Sequence, residues 1–594
     1  MTDGVALPSN PASQLPRFGA LALAIALALG LWLVVSIVFL FTFWHGVETS
    51  LGGPDDAMRL VEVRRLLAGQ SYFDLFEPRL GLHGYLTHWS RLLDLGLAGT
   101  IKILAVFVGQ DRAELLTRAF WPLPFLAMMM IAQVTIAFRL GGRHAAMLAA
   151  LLAGTCLPGF AHFAPGAIDH HNVQATLCAL TIALMVRGLS SVRAAAGAGA
   201  VAALTLGVGL EALALIGTGA AVMALAFVRD GTRARQVRAF ALSLAAAGVA
   251  VFAITVAPAR WSTTACDAFA INTAALVVLA AAGLAAATAS AADTMRIRLA
   301  ATIIAAAVAV AVYLALDPAC PTGPFAHVDP ALKPLWLNHV TELRSIVELA
   351  MVAPASAVFY AAFPLLGIVA AIALLRRAQP PELILVSAVF ALGCIIAAIM
   401  VRAEVYPNWF AVPLVATALA QWLDRRPDWS ALQRAGLIVL ALPLTAGTMA
   451  LLTLPGSAEG AVAQARREAA PACFDNASYQ ALARLPPGLV LSQLDIAAHV
   501  LALTPHRVVM GPYHRLDRDV LFALRLFAGP VEAAAAQLRA NGIDYIVDCA
   551  ALELTAAGAA PSFRAALIGG QAPAFLQPIA AGDGSPLLIW RVKR

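Results

Sequence analysis

Long apolar runs separated by short polar segments recur along most of this chain. A run of about 18 to 25 apolar residues crosses a bilayer as a helix, because only a helix satisfies its own backbone in lipid. The pattern predicts about thirteen spans. Their ranges are 18–43, 118–138, 144–162, 172–187, 194–209, 211–228, 238–257, 270–289, 299–316, 351–375, 382–401, 407–423 and 435–454. The first run is too long for a signal peptide and lacks a clear cleavage site, so we interpret it as a retained anchor.

Arginines mark one face of the predicted bundle, because they occupy alternate loops and such loops are cytoplasmic. They are Arg139, Arg143, Arg187, Arg193, Arg229, Arg233, Arg235, Arg238, Arg296, Arg298, Arg376, Arg377, Arg425, Arg426 and Arg434. The prediction is a multi-pass protein of the inner (plasma) membrane with a cytoplasmic N-terminus. The outer face then receives residues 44–117, 163–171, 257–269, 317–350 and 402–406 and the chain after 455.

Two segments allow a second interpretation, and the parity of the arginine loops decides between the alternatives. A span at 91–109 would invert every later loop, so this segment is predicted to be a juxtamembrane or re-entrant helix. Residues 194–228 are long enough for one helix or two. The basic loop that follows them favours a hairpin with Glu211 at its outer tip.

Composition supports the membrane prediction. Hydrophobic residues make up 61% of the chain and charged residues 12%, against about 25% charged in a typical soluble protein. These values exclude a disordered chain, a disulfide scaffold and a fibrous repeat. The net charge of +6 is explained by the cytoplasmic arginines, so no nucleic-acid partner is expected.

The chain from 456 to 594 differs from the transmembrane part, residues 1–455. It has ordinary polar content and short β-like runs, which are GLVLS, HRVVMG, DYIVDC and PLLIWRV, alternating with helical stretches. This pattern predicts a small α/β domain in the extracytoplasmic (periplasmic) space. Disulfides are permitted there, within the pair Cys266 and Cys320 and within the pair Cys473 and Cys549.

Two outer segments carry acids and histidines next to the membrane. Asp55 and Asp56 are adjacent carboxylates that favour a cation or a shared proton; alternatively, they cap the helix that follows. Asp169, His170 and His171 stand where a helix enters the membrane. An Asp-x-His spacing can bring a carboxylate and an imidazole to one divalent ion, although Asp169 can also act simply as a helix N-cap.

Two further outer segments carry isolated charges. Glu342 can supply another carboxylate, or be a solvated acid beside Arg344. Arg402 lies in a short turn, in the sequence MVRAEVYPNWF, which also contains Tyr406. A guanidinium in that position matches phosphate oxygens; the alternative is an ion pair with Glu404.

Taken together, the four segments resemble the GT-C superfamily of membrane glycosyltransferases, and most of all the catalytic subunit of oligosaccharyltransferase. The resemblance implies thirteen spans and a C-terminal outer domain. It also implies an essential first-loop acid (Asp55 or Asp56), a second-loop metal motif (Asp169-His170-His171), a V-T-E element ending in Glu342, and a phosphate-binding Arg402. The start Asp55-Asp56-Ala57 is also similar to protein O-mannosyltransferases and lipid A aminoarabinose transferases. The W-W-D-x-G acceptor motif of oligosaccharyltransferase is absent from this sequence.

The resemblance therefore implies an inverting transferase that moves a sugar or oligosaccharide from a polyprenyl-(di)phosphate donor to a glycan, lipid or protein acceptor. Mg²⁺ or Mn²⁺ would be held by Asp55 or Asp56, Asp169 and His171. One first-loop carboxylate, or Glu342, would accept or orient the acceptor's proton.

Weaker candidates complete the predicted site. They are His88 and Arg91 for donor phosphate or acceptor, and Tyr406, His170, His506, His514 and Arg515 around the acceptor. Glu211 is interpreted as structural. The alternatives to a transferase are a transporter or flippase that uses Asp169, His170 and Glu211 as a proton or metal path, and a non-catalytic assembly protein.

Overall fold

The computed structural model of the chain describes residues 17–289, 294–452, 469–552, 562–582 and 584–593. The predicted cytoplasmic N-terminus and the predicted boundary at 455 lie outside these ranges. The described residues before 453 form eighteen α-helices. They are α1 (Arg17–Thr49), α2 (Pro54–Leu67), α3 (Arg91–Val108), α4 (Gln110–Phe120), α5 (Pro122–Ala153), α6 (His171–Gly188), α7 (Val192–Val208), α8 (Leu213–Arg229), α9 (Ala234–Thr255), α10 (Ile271–Ala289), α11 (Met295–Leu316), α12 (Leu332–Leu335), α13 (Ile346–Val352), α14 (Pro354–Leu375), α15 (Pro381–Ile399), α16 (Val405–Asp424), α17 (Ala431–Ala441) and α18 (Pro443–Leu452).

Seven helical segments among the described residues are long and apolar enough to cross a membrane. The helices α7, α8 and α17 are apolar but shorter. The predicted total of about thirteen spans therefore stays a prediction. The interpretation of 194–228 as a hairpin is confirmed, because α7 ends at Val208 and α8 begins at Leu213. Similarly, the predicted break between 138 and 144 falls at Gly142, whose φ of +72° interrupts α5.

The predicted cytoplasmic loops meet at one end of the helices. Arg139 donates a hydrogen bond to the hydroxyl of Ser190 over 2.8 Å, and Arg233 donates to the carbonyl of Leu189 over 2.8 Å. Arg298 likewise donates to the carbonyl of Val228 over 3.1 Å. These contacts join loops that the alternating arginines had assigned to a common face.

The C-terminal part is an α/β unit, as predicted. Its strands are β3 (Leu489–Ser492), β4 (Arg507–Val508), β5 (Tyr545–Cys549), β6 (Leu576–Ile579) and β7 (Leu587–Val592). They form one sheet of order β4-β3-β5-β7-β6, with β3 parallel to β4 and β5, and β7 antiparallel to β5 and β6. The helices of this unit are Gln480–Ala483, Ala497–Leu503, Asp517–Ala528, Val531–Ala540 and Phe563–Ile568. The short edge strand β6 had no predicted counterpart.

Two apolar clusters organise the molecule. One lies between the long helices, and the other joins the first outer segment to the C-terminal unit. The first outer segment contains α2, α3 and the small hairpin of β1 (Phe76–Glu77) and β2 (Tyr85–Leu86). It reaches the C-terminal unit through polar contacts as well, because Arg64 donates to the carbonyl of Ala502 over 2.8 Å. The C-terminal unit thus covers the end of the molecule that carries the predicted site.

Cysteine pairing agrees with the predicted pairs. Disulfides join Cys266 to Cys320 and Cys473 to Cys549. The free cysteines of the described residues are Cys156, Cys178 and Cys394, all of which lie in predicted spans.

Candidate active site

The first two acids of the predicted site have different surroundings. Helix α2 begins after Gly53, with Pro54 in its first turn and Asp56 closing a capping box on the Gly53 backbone, an arrangement that favours helix initiation. One Asp56 oxygen accepts from the Gly53 N–H over 3.1 Å. The other accepts from the N–H groups of Ile168 and Asp169 over 2.7 and 3.1 Å. Asp56 therefore caps α2 and also fixes the second outer segment against the first.

Asp55 is one residue earlier but points to a different environment. Within the described part of the chain, its carboxylate accepts no hydrogen bond. Burial raises the pKa of Asp55 to about 6, against the lowering effect of Arg402, and the charge of Asp169 raises it further. A buried carboxylate beside a second carboxylate favours a cation or a proton. Asp55 rather than Asp56 thus has oxygens available for chemistry.

The predicted second-loop motif lies at the start of α6. One Asp169 oxygen accepts from the His171 N–H over 3.0 Å, and the other lies 3.8 Å from His171 Nε2. Burial acts to raise the pKa of Asp169, but the neighbouring His171 and His170 hold it below its usual value. The side chains of Asp169 and His171 are only 15% and 7% exposed. The motif is therefore both a helix start and a buried polar cluster.

Arg402 joins four separate segments of the chain. Its Nε donates to Glu211 over 3.0 Å, its Nη1 donates to Glu342 over 2.7 Å, and its Nη2 lies 2.7 Å from His171 Nε2. A guanidinium has no acceptor atom, so this contact is a hydrogen bond only when His171 is neutral, with Nε2 accepting and the ring proton on Nδ1, 3.3 Å from Glu211 Oε2. Burial opposes protonation of His171, but the charges of Asp169 and Glu211 raise its pKa to about 9, and the protonated ring pairs with these two acids rather than with Arg402. The predicted alternative, an Arg402–Glu404 pair, is not formed.

Glu211 is the residue whose role the sequence interpretation underestimated. It lies between α7 and α8 and contacts Arg402, His171 and His170, the last at 3.8 Å. Burial opposes its ionisation, but His171 and Arg402 hold the pKa of Glu211 well below its usual value. The only sequence signal for this role was an acid at the outer tip of an otherwise apolar hairpin.

Glu404 lies behind this cluster. It is 7% exposed, and it accepts from Asn408 Nδ2 over 2.9 Å, while its other oxygen lies 4.0 Å from His162. Burial raises the pKa of Glu404 to about 8. His162, which the sequence interpretation did not select, also lies near His171, at 5.1 Å between ring centroids.

The residues present suit a divalent ion. Ligand atoms of His170, His171 and Glu211 lie within 4.8 Å of one another, and Asp55 and Asp169 interact electrostatically with the same cluster. The Nδ1 atom of His170 is buried and has no hydrogen-bond partner among the described residues. Mixed carboxylate and imidazole ligands are compatible with Mn²⁺, and carboxylates with Mg²⁺. Of the predicted ligands, Asp56 differs, because backbone N–H groups already occupy its oxygens.

Three of the weaker candidates meet at a second place. His514 Nε2 and the Arg515 guanidinium both bond to Asp267, His514 over 2.6 Å, and His88 Nδ1 lies 4.0 Å from the same carboxylate. Asp267 had no role in the sequence interpretation. It lies next to Cys266, and the disulfide to Cys320 anchors its loop.

The remaining candidates have internal contacts. Arg91 is 2% exposed and donates to Asp94 and Gln70. His506 is fully buried, accepts from the Gly488 N–H, and bonds through its other nitrogen to the carbonyl of Leu482. Its predicted position at an acceptor site is therefore wrong. Tyr406 is 4% exposed in the first turn of α16.

No protein-family model matches the sequence, and no curated protein matches it significantly. The structure is similar to the archaeal oligosaccharyltransferase AglB from Archaeoglobus fulgidus in complex with an inhibitory peptide and a dolichol-phosphate. The TM-score is 0.62 at 15% identity, over 90% of this chain and 69% of that chain. The complex of the Archaeoglobus fulgidus oligosaccharyltransferase with Zn and sulfate gives a TM-score of 0.54 at 17% identity, over 89% and 68% of the two chains.

A weaker similarity is to ArnT from Cupriavidus metallidurans bound to undecaprenyl phosphate, with a TM-score of 0.44 at 13% identity over 97% of this chain and 98% of that chain. The similarity to the oligosaccharyltransferase is one of fold. The chain shares the fold of this oligosaccharyltransferase, which confirms at the level of the fold the resemblance drawn from the sequence motifs.

Proposed function

We propose that this protein is a membrane glycosyltransferase that transfers a sugar or oligosaccharide from a polyprenyl-(di)phosphate donor to an acceptor at the outer face of the inner membrane. The observation that carries the proposal is the convergence of Arg402, His171, Glu211 and Glu342 beside Asp55. The shared fold supports it, because the oligosaccharyltransferase of that fold was solved with a dolichol-phosphate.

Arg402 is the proposed ligand of the donor phosphate. The side chains of its partners His171, Glu211 and Glu342 are 7%, 29% and 48% exposed, so Glu342 is the most accessible of the three. Arg402–Glu342 is therefore the pair that a phosphate can most readily replace, since an exposed ion pair contributes little to stability. The guanidinium would then oppose the negative charge that develops on the phosphate as it leaves C1 of the sugar.

Asp55 and Asp169 would hold Mg²⁺ or Mn²⁺, joined by His171 once its Nε2 no longer accepts from Arg402, with Asp56 as a positioning residue. When bound, such an ion supplies positive charge against the departing phosphate. Asp55, with its pKa near 6, is largely ionised at neutral pH and can accept or orient the proton of the acceptor nucleophile. The bond from C1 to the acceptor forms as the bond from C1 to the phosphate oxygen breaks, so inversion at C1 is expected.

The test is transfer from a radiolabelled polyprenyl-linked sugar pool to an endogenous acceptor fraction, with purified protein in liposomes. Wild type should deplete the lipid-linked label, whereas EDTA, Asp169→Ala and Arg402→Gln should each abolish depletion. The matched control is Asp424→Asn, because Asp424 also pairs with a histidine, His144, but lies at the opposite end of α16. The proposal fails if wild type transfers nothing, or if Asp169→Ala transfers as well as the control.

The same liposomes separate this function from a transporter or flippase. A transporter moves the labelled lipid between leaflets and leaves the sugar attached to it. A protein that relocates intact donor without metal-dependent cleavage would therefore have the alternative function.

A further inference from the structure

A cavity of about 70 Å³ lies beside the candidate active site. It is bounded by the first outer segment, by the loop after α9 and by Arg515 of the C-terminal unit. Trp89 forms part of its wall, and the Trp89 ring also lies 6.4 Å from the ring of His170. The cavity and the Arg402 cluster are thus separated by about one side chain. A space of this size holds a few water molecules or one tetrahedral oxyanion.

The polar groups of the cavity wall suit an anion. Two arginines line it, Arg260 and Arg515, together with small polar residues that include Thr263 and Thr264. Among the described residues that line it, none is an aspartate or glutamate. Burial lowers the pKa of His88, which also lines the cavity, so the positive charge on the wall comes from the arginines.

The two guanidinium groups retain free donors. Arg515 uses Nε and Nη2 to bind Asp267, and within the described residues its Nη1 has no acceptor. Arg260 forms no ion pair or side-chain hydrogen bond with any described residue, and burial together with the charge of Arg515 lowers its pKa. Asp267 compensates the charge of Arg515 on its Nε and Nη2 side, so the uncompensated positive charge of the wall is that of Arg260, and an anion that bridges the two guanidinium groups would neutralise it. Guanidinium groups bind phosphate oxygens with good geometry.

The position of the cavity indicates where such an anion would come from. Arg260 is the last residue of the turn Pro258–Arg260, which begins three residues after α9 ends at Thr255. The neighbouring Trp261 is 45% exposed. An exposed tryptophan at the end of an apolar helix is typical of the membrane interface. The phosphates of lipids lie at this depth.

We propose that this cavity is an oxyanion subsite that binds a lipid-borne phosphoryl group through Arg260 and Arg515, separately from the phosphate site at Arg402. Asp267 is a positioning residue that holds Arg515 in place. The proposal concerns binding, so it does not require transferase activity, and its failure is distinguishable from a failure of transfer.

The test uses full-length protein in a phosphate-free maltoside detergent, with ³²P-labelled inorganic phosphate as the probe. The background is Arg402→Gln, which removes the other proposed phosphate ligand. Adding Arg260→Gln should weaken phosphate binding at least about tenfold, as expected when a charge-assisted hydrogen bond is lost. The matched control is Arg518→Gln, because Arg518 is an exposed arginine three residues after Arg515.

A polyprenyl monophosphate is the second probe. Its displacement of the labelled phosphate assigns the site to a lipid-borne group, whereas failure to displace overturns the lipid assignment. Absence of binding in the Arg402→Gln background, or equal binding with and without Arg260→Gln, overturns the subsite itself. If Arg402→Gln does not melt cooperatively, the comparison is made in wild type. There, Arg260→Gln should weaken one of two phosphate sites at least about tenfold, and two unchanged Kd values contradict the proposal.

Discussion

Alanine substitution should affect the adjacent acids Asp55 and Asp56 in opposite ways. Asp56→Ala removes the acceptor for three backbone N–H groups, those of Gly53, Ile168 and Asp169. Each unsatisfied donor costs about 1–3 kcal/mol; burial also raises the pKa of Asp56, to about 8, so relief of that burial cost offsets part of the loss, and we expect a net decrease in the free energy of unfolding that is smaller than the sum for the three bonds. In contrast, Asp55→Ala removes no hydrogen bond between described residues. Burial raises the pKa of Asp55 from 3.8 to about 6, and its ionised form at pH 7 therefore destabilises the fold by up to about 3 kcal/mol.

Asp55→Ala should accordingly unfold at the same or a higher detergent concentration than wild type, while losing sugar transfer. The measurement is equilibrium unfolding by SDS in mixed micelles at pH 7, with EDTA present so that no metal ion contributes. Sugar transfer is assayed on the same preparations in Mn²⁺. Equal destabilisation by the two substitutions, or a fully stable Asp56→Ala, would show that the assignment of roles is wrong.

Three further predictions follow from the same contacts. Arg402→Lys keeps the charge but cannot bond to three partners in a fork, so the Kd for a polyprenyl phosphate should rise at least about tenfold. Titration calorimetry measures this Kd, and an unchanged value would contradict the prediction. Burial raises the pKa of Glu404 from 4.5 to about 8. Between these pH values the carboxyl is protonated in the folded protein and ionised in the unfolded chain, so the fold loses stability as pH rises. Glu404→Gln should therefore raise the Tm at pH 8.5 and change it little at pH 4.5; equal shifts at both pH values would contradict this. Finally, alkylation of the denatured, unreduced protein should modify three of its seven cysteines, and all seven after reduction; mass spectrometry counts the adducts, and five or more before reduction would mean that a disulfide is missing.

Much of the architecture is a local property of the sequence. A spanning helix must satisfy its backbone within one continuous segment, so about 20 apolar residues suffice to predict it. The basic loop that follows residue 228 predicted the hairpin of α7 and α8, and the gap between the apolar runs 118–138 and 144–162 predicted the interruption at Gly142. Four of the five strands of the C-terminal sheet were also visible as short apolar runs. The edge strand β6 was not, because its residues Leu576–Ile579 alternate little and lie partly exposed.

The sequence also determined which residues are available for chemistry. The charged residues and histidines selected on the predicted outer face include Asp55, Asp169, His171, Glu342 and Arg402, and the structure brings these five into one cluster. Their selection depended on charge and on the parity of the loops, both of which can be counted along the chain.

Only the tertiary structure decided what each of these residues contacts. Glu211 and Arg402 are 191 positions apart and meet because the turn between α7 and α8 lies against the turn before α16. Asp55 and Asp56 are adjacent and chemically identical, yet the first turn of α2 directs one to backbone N–H groups and the other to the charged cluster. Helix formation in lipid depends on neighbouring residues alone, whereas the positions of side chains depend on how distant helices pack. Spanning helices could therefore be predicted from the sequence, although their number stays a prediction, whereas the separate roles of the two acids required the fold.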